Sequence, residues 1–206
     1  MRFQKSIALI FSTLFHPIVI PTLGMFILFQ LNTYIRFAVT PGARRLILLL
    51  VFINTAIAPV LSLLIMKRTG YVKTLTLEER NERILPLLLA TALFFITYYM
   101  LRQLTLPSIV YFYIISATLL LLVTLMASFF WKISIHMVAL GGITAFLIIT
   151  SLLLRTDVSR LIIAAFVASG LTGSSRLILK AHTPAEVYAG YLLGFLGMMG
   201  LFVYFR

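Results

Sequence analysis

Residues 173–186, Gly-Ser-Ser-Arg-Leu-Ile-Leu-Lys-Ala-His-Thr-Pro-Ala-Glu, set two cations, two hydroxyls, a histidine and a carboxylate between two apolar runs, 161–171 and 187–205. Polar atoms in such surroundings must be paired, wetted or used, because lipid offers them no partner. The tetrapeptide Thr183-Pro184-Ala185-Glu186 reads as a helix start, with Thr183 as N-cap, Pro184 in the first helical position and Glu186 closing a capping box. His182 then precedes a helix N-terminus, where backbone N–H groups and the dipole favour an anion. Arg176 adds a planar fork that suits phosphate. This chemistry describes an anion site at the end of a membrane helix.

The elements that hold these residues are set by composition. Of 206 residues, 62% are hydrophobic and 11% charged, and the mean hydropathy is +1.10. A soluble domain is about half apolar and about a quarter charged. The chain therefore reads as a single polytopic membrane domain, 1–206. With no cysteine, it has no disulfide framework, thiol nucleophile or thiolate metal site. The net charge of +12 could attract nucleic acid, but the apolar fraction leaves no soluble face for it. Anionic headgroups or a phosphorylated substrate fit better.

Seven apolar runs, 6–29, 46–66, 84–101, 107–130, 136–154, one starting at 161–171, and 187–205, approach the roughly 20 residues that cross a bilayer. The first resembles a signal peptide's start but is too long and lacks a small-residue cleavage site, so it is expected as a helix kinked at Pro17 and Pro21. The polar stretches after the second, fourth and sixth runs fall on one membrane face. They carry Lys73, Arg80 and Arg83; Ser134 and His136; and Ser175, Arg176, His182 and Glu186. Two histidines converging with several cations is what phosphoryl transfer needs. Cations neutralise the equatorial oxygens, one imidazole attacks phosphorus and another protonates the leaving oxygen.

On these residues the sequence resembles the membrane members of the type 2 phosphatidic acid phosphatase family, which share a fold with the vanadium haloperoxidases. The family's three motifs are Lys-x6-Arg-Pro, Pro-Ser-Gly-His and Ser-Arg-x5-His-x3-Asp. Here the third is Ser175-Arg176-x5-His182-x3-Glu186, followed by Gly190 and Gly194. The second is Ile133-Ser134-Ile135-His136, without the proline and glycine, and the first is Lys73-x6-Arg80-Asn81, without the proline. Arg83, three residues before Pro86, rivals Arg80 for the first-motif arginine. The resemblance covers 73–206 and leaves 1–66 as two additional N-terminal spans. It implies an all-α transmembrane bundle of six to seven spans with a phosphatidic acid phosphatase/haloperoxidase-like core. It also implies hydrolysis of a lipid phosphate or pyrophosphate without metal or cofactor. His182 would be the nucleophile, Glu186 would orient its ring, and His136 would be the general acid. Lys73, Arg80 or Arg83, Ser134, Ser175 and Arg176 would hold the phosphoryl oxygens. The substrate would be an anionic phospholipid or a polyprenyl phosphate.

Other readings of the same residues stay open. Glu186 could serve only as a helix cap. Thr76-Leu77-Glu78-Glu79 is also a capping box, and Glu79 and Arg83 are four apart, so this stretch could be a solvated interfacial helix. His16 is expected to pack or meet a headgroup, Asn54 to bond between helices, and Gly141, Gly142, Gly190 and Gly194 to allow close helix packing. Ile135 where the family has glycine leaves a second function class, a non-catalytic relative that binds or moves an anionic lipid. On the motif-bearing face the basic residues are Arg2, Lys5, Lys67, Arg68, Lys73, Arg80, Arg83, Lys132, Arg176 and Lys180, against Arg36, Arg44, Arg45, Arg102, Arg155, Arg160 and Arg206. That balance puts the motifs in the cytoplasm. Setting aside Lys73, Arg80, Arg83, Lys132, Arg176 and Lys180 as selected for chemistry reverses it. The resemblance implies a bacterial inner-membrane protein with its site facing the periplasm.

Overall fold

Backbone groups taken into lipid must find partners within their own segment, so apolar runs of this length fold as helices. The computed structural model describes residues 2–74, 77 and 79–205, and among these the regular structure is helical, with no strand. Six helices among the described residues are long and apolar enough to cross a membrane: Pro41–Arg68, Asn81–Arg102, Ser108–Ser128, Ile135–Leu154, Ser159–Ile178 and Pro184–Phe205. The protein is all-α, with the make-up of an integral membrane protein. The expected span at 6–29 is not among the six. It forms two shorter helices, α1 (Arg2–Leu14) and α2 (Ile20–Gln30). The break falls around Pro17, whose ring lacks an N–H and crowds the preceding turn. Pro21 sits harmlessly in the first turn of α2.

The chain divides into two compact units, Met1–Ile20 with Lys132–Arg206, and Pro21–Trp131. α1 groups with the C-terminal helices in this division. The unit Pro21–Trp131 holds α2 from Pro21 onward, α3 (Tyr34–Ala38), α4 (Pro41–Phe52), a π-helical turn (Ile53–Ile57), α5 (Ala58–Arg68), a 3-10 turn (Asn81–Arg83), α6 (Ile84–Arg102) and α7 (Ser108–Ser128). The π-helical turn lies just ahead of Pro59 and widens the helix where the proline ring would press on the preceding turn. Asn54, inside it, points its amide toward Met100 Sδ at 3.9 Å, a weak version of the expected interhelical bond.

The other unit holds α1, α8 (Ile135–Leu154), α9 (Ser159–Ile178) and α10 (Pro184–Phe205). Its core is α8, where Leu140, Ala145, Phe146 and Ile149 are buried. The α8–α10 seam depends on glycine. A Cβ on Gly194 would lie 2.0 Å from the Val138 carbonyl, one on Gly141 2.2 Å from the Tyr191 carbonyl, and one on Gly190 2.7 Å from the Ser134 carbonyl. Backbones this close gain dispersion contacts where lipid supplies no hydrophobic drive. α1 packs on α9, and α9 on α8. The C-terminus of α9 and the N-termini of α8 and α10 meet at one end, where the Ser134 N–H donates to the Glu186 carbonyl at 3.2 Å.

Hydroxyls along these helices mostly satisfy themselves. Thr91, Thr97, Thr118, Thr124, Ser128, Thr144 and Ser169 each donate to the carbonyl four residues earlier, the cheapest partner inside lipid. In the unit built on α8, the exceptions among the described residues are Ser134 Oγ, Thr150 Oγ1, Thr172 Oγ1, Arg176 Nε and Tyr191 Oη, all buried without a hydrogen-bond partner.

Candidate functional site

The site grows from the turn that joins α9 to α10. α9 ends in a Schellman motif, in which Ala181 N–H donates to the Arg176 carbonyl (3.1 Å) and Lys180 N–H to the Leu177 carbonyl (2.9 Å). Lys180 takes the left-handed position at φ 53°, where glycine is usual. α10 then opens with the capping box expected at 183–186. The Thr183 N–H donates to Glu186 Oε2 at 3.0 Å, and the Glu186 N–H approaches Thr183 Oγ1 at 3.4 Å.

The same Glu186 Oε2 lies 3.0 Å from His182 Nδ1. Capping and ring-holding are therefore not alternatives, because one oxygen does both. A carboxylate oxygen accepts, so Nδ1 carries a proton, and in the neutral ring the lone pair falls on Nε2. The His182 side chain is only 1% exposed and that of Glu186 12%, which fixes both rotamers by packing.

The turn before α8 is tied to this cap through Ser134, whose N–H bonds the Glu186 carbonyl. His136, in the first turn of α8, directs Nε2 at the Ser12 carbonyl, 3.2 Å away. A carbonyl only accepts, so His136 Nε2 is the donor. Arg176 Nη1 donates to the Ser12 hydroxyl at 2.9 Å. The His16 ring meets the His136 ring edge-on, with centroids 5.0 Å apart and planes at 79°. Ser12 and His16 were not expected at the site. Their signal was slight: two polar residues four apart within the run 6–29, beside Thr13.

Of the expected oxygen-holding residues, Ser134 and Arg176 bring buried polar atoms without a partner, Oγ and Nε. Ser175 instead donates its hydroxyl proton to the Leu171 carbonyl at 2.7 Å, so it can only accept from a ligand in this arrangement. Beside His182 a recess of about 610 Å³ is lined by Lys132, Lys180, Thr183, Pro184 and Glu186 among others.

Lys73, Arg80 and Arg83 belong to the unit Pro21–Trp131. Lys73 Nζ pairs with Glu79 Oε1 at 2.7 Å, well exposed to solvent, and that bond raises the lysine above its ordinary pKa. Arg80 Nη1 donates to the Phe130 carbonyl at 3.1 Å. Arg83 is buried, and its Nε donates to the Leu77 carbonyl at 2.9 Å. The expected Glu79–Arg83 helical pair is replaced by these bonds. The capping box at 76–79 needs Thr76, which lies outside the described residues.

Fold and site together define an all-helical integral membrane protein with a buried histidine–carboxylate pair and an arginine at one end of a helix cluster. No family model, no curated protein and no solved structure matches the chain.

Proposed function

We propose that the protein is a metal-independent lipid phosphate or pyrophosphate phosphatase, of the type 2 phosphatidic acid phosphatase kind, working through a phosphohistidine at the membrane interface. The observation that carries this reading is the Glu186–His182 bond, which puts the proton on Nδ1 and the lone pair on Nε2 of a buried ring. In the reaction, Nε2 attacks phosphorus and forms a P–N bond while the P–O bond to the leaving group breaks. His136, entering the reaction as the imidazolium, gives its Nδ1 proton to the departing alkoxide and keeps Nε2–H on the Ser12 carbonyl. Water then attacks phosphorus, loses a proton to His136, and the P–N bond breaks to release phosphate. Glu186 stabilises the charge that builds on His182 during attack. Arg176 and Ser134 take the equatorial oxygens, whose charge grows in the transition state.

The resemblance would add Lys73 and either Arg80 or Arg83 as phosphoryl ligands; each now bonds within its own unit. Ser175 contributes as an acceptor. The substrate is an anionic phospholipid or a polyprenyl phosphate, with its headgroup held in the recess near Lys132 and Lys180. The protein works in a bacterial inner membrane with the site facing the periplasm.

A second reading is favoured by Ile135. It keeps a backbone N–H but denies the close approach and positive φ that glycine would allow. A non-catalytic protein that binds or moves an anionic lipid would tolerate that change. Phosphate release from a panel of lipid phosphates separates the two. The enzyme reading expects release by the wild type and a fall of about 10³-fold or more in His182→Ala. Lipid binding without release from any panel member would leave the binder.

A further inference from the structure

We propose that Ser12, on α1, is a positioning residue that sets the orientation of Arg176 and the tautomer of His136. The proposal rests on reading Arg176 as a phosphoryl ligand and deepens that reading by adding the N-terminal helix to the site.

Ser12 is 4% exposed. Its two oxygens accept from two different groups of the site, the hydroxyl from Arg176 Nη1 at 2.9 Å and the carbonyl from His136 Nε2 at 3.2 Å. A guanidinium offers its donors along defined edges. Nη1 lies on the side of Cδ, while Nε and Nη2 point together along the other edge. By taking Nη1, Ser12 leaves the Nε/Nη2 edge for a ligand, and Nε is buried without a partner. That edge presents two parallel N–H groups, the arrangement that grips a phosphoryl group bidentately. The Ser12 carbonyl meanwhile keeps the proton of His136 on Nε2, so that Nδ1 is the nitrogen that gains and loses the transferred proton. His16 packs against the His136 ring as well, with centroids 5.0 Å apart.

The test uses the full chain in detergent micelles, with inorganic phosphate as the probe and calorimetry as the readout. Ser12→Ala removes the hydroxyl but keeps the carbonyl. Phosphate affinity should fall about tenfold, within the range of couplings between contacting residues. Ser12→Thr should restore it to within about twofold, because the acceptor returns. In an Arg176→Lys background, which has no fork to orient, Ser12→Ala should change affinity by less than about twofold. Unchanged affinity in Ser12→Ala overturns the proposal. So do losses that multiply in the double variant, or a loss that Ser12→Thr fails to restore while the melting temperature falls in step. A wild type that binds no phosphate overturns this proposal together with the phosphoryl reading of the site. A wild type that shows the Ser12 pattern but releases no phosphate from any lipid removes only the phosphatase reading.

Discussion

At Glu186 a single carboxylate oxygen answers both the His182 ring and the Thr183 backbone. The two donors can be separated by mutation. Glu186→Gln keeps an oxygen for the cap but loses the charge that balances a cationic ring. Phosphate release should drop by about 100-fold or more, with little change in melting temperature. Glu186→Ala should also lose the cap, about 1 kcal/mol in unfolding titrations. Equal turnover of Glu186→Gln and wild type would leave Glu186 a cap alone. His136→Ala should slow formation of the phosphoenzyme strongly for a lipid alkoxide and only weakly for an aryl phosphate, whose leaving group needs no acid. Equal losses on the two substrates in rapid-quench experiments would make His136 a phosphate ligand instead. Lys180 is held at φ 53° beside the recess. Lys180→Gly should stabilise the fold by about 1 kcal/mol in thermal unfolding, because glycine adopts that backbone without the clash of a Cβ. A loss of stability would mean that the lysine side chain contributes more than its backbone strain costs.

Between elements, the contact most sensitive to substitution is the α8–α10 seam. Gly194→Ala drives a methyl group into the Val138 carbonyl and Gly142 backbone and should cost about 3 kcal/mol. Gly200→Ala, with nothing within 4 Å of the added carbon, should gain up to about 1 kcal/mol of helix propensity. Denaturant titration in mixed micelles measures both, and the reverse order would contradict the packing. The seam was legible in the sequence because small residues four apart mark one helix face. The cap at 183–186 was legible because its partners lie within one turn. Ser12 was not legible, since its partners lie 124 and 164 residues away and no local pattern encodes such a distance. The helix bond that Ser175 makes was not legible for the opposite reason. Its preferred partner, the Leu171 carbonyl, is so near that motif spacing conceals it.

For the whole molecule, hydropathy foretold the helical class but not the division. Apolar runs report length and burial, whereas the grouping of α1 with 132–206 depends on long-range packing. Pro17 gave notice of a bend, and the structure turns that bend into two helices too short to count as one span. Orientation is open to a direct test because the chain has no cysteine. Ala185→Cys, exposed at the start of α10, and Arg160→Cys, exposed at the start of α9, lie at opposite ends of the α9 helix. An impermeant maleimide applied to intact cells should label the first and spare the second if the site faces the periplasm; the reverse pattern puts the site in the cytoplasm. The central claim, that His182 carries the phosphoryl group, is tested most directly by rapid-quench trapping with a lipid phosphate labelled at phosphorus. The account predicts a labelled protein that survives alkali and loses label in acid, as a P–N bond does, with the label on His182 and none in His182→Ala. A wild type that binds the labelled lipid and never becomes labelled itself, or that carries the label equally well in His182→Ala, would contradict it.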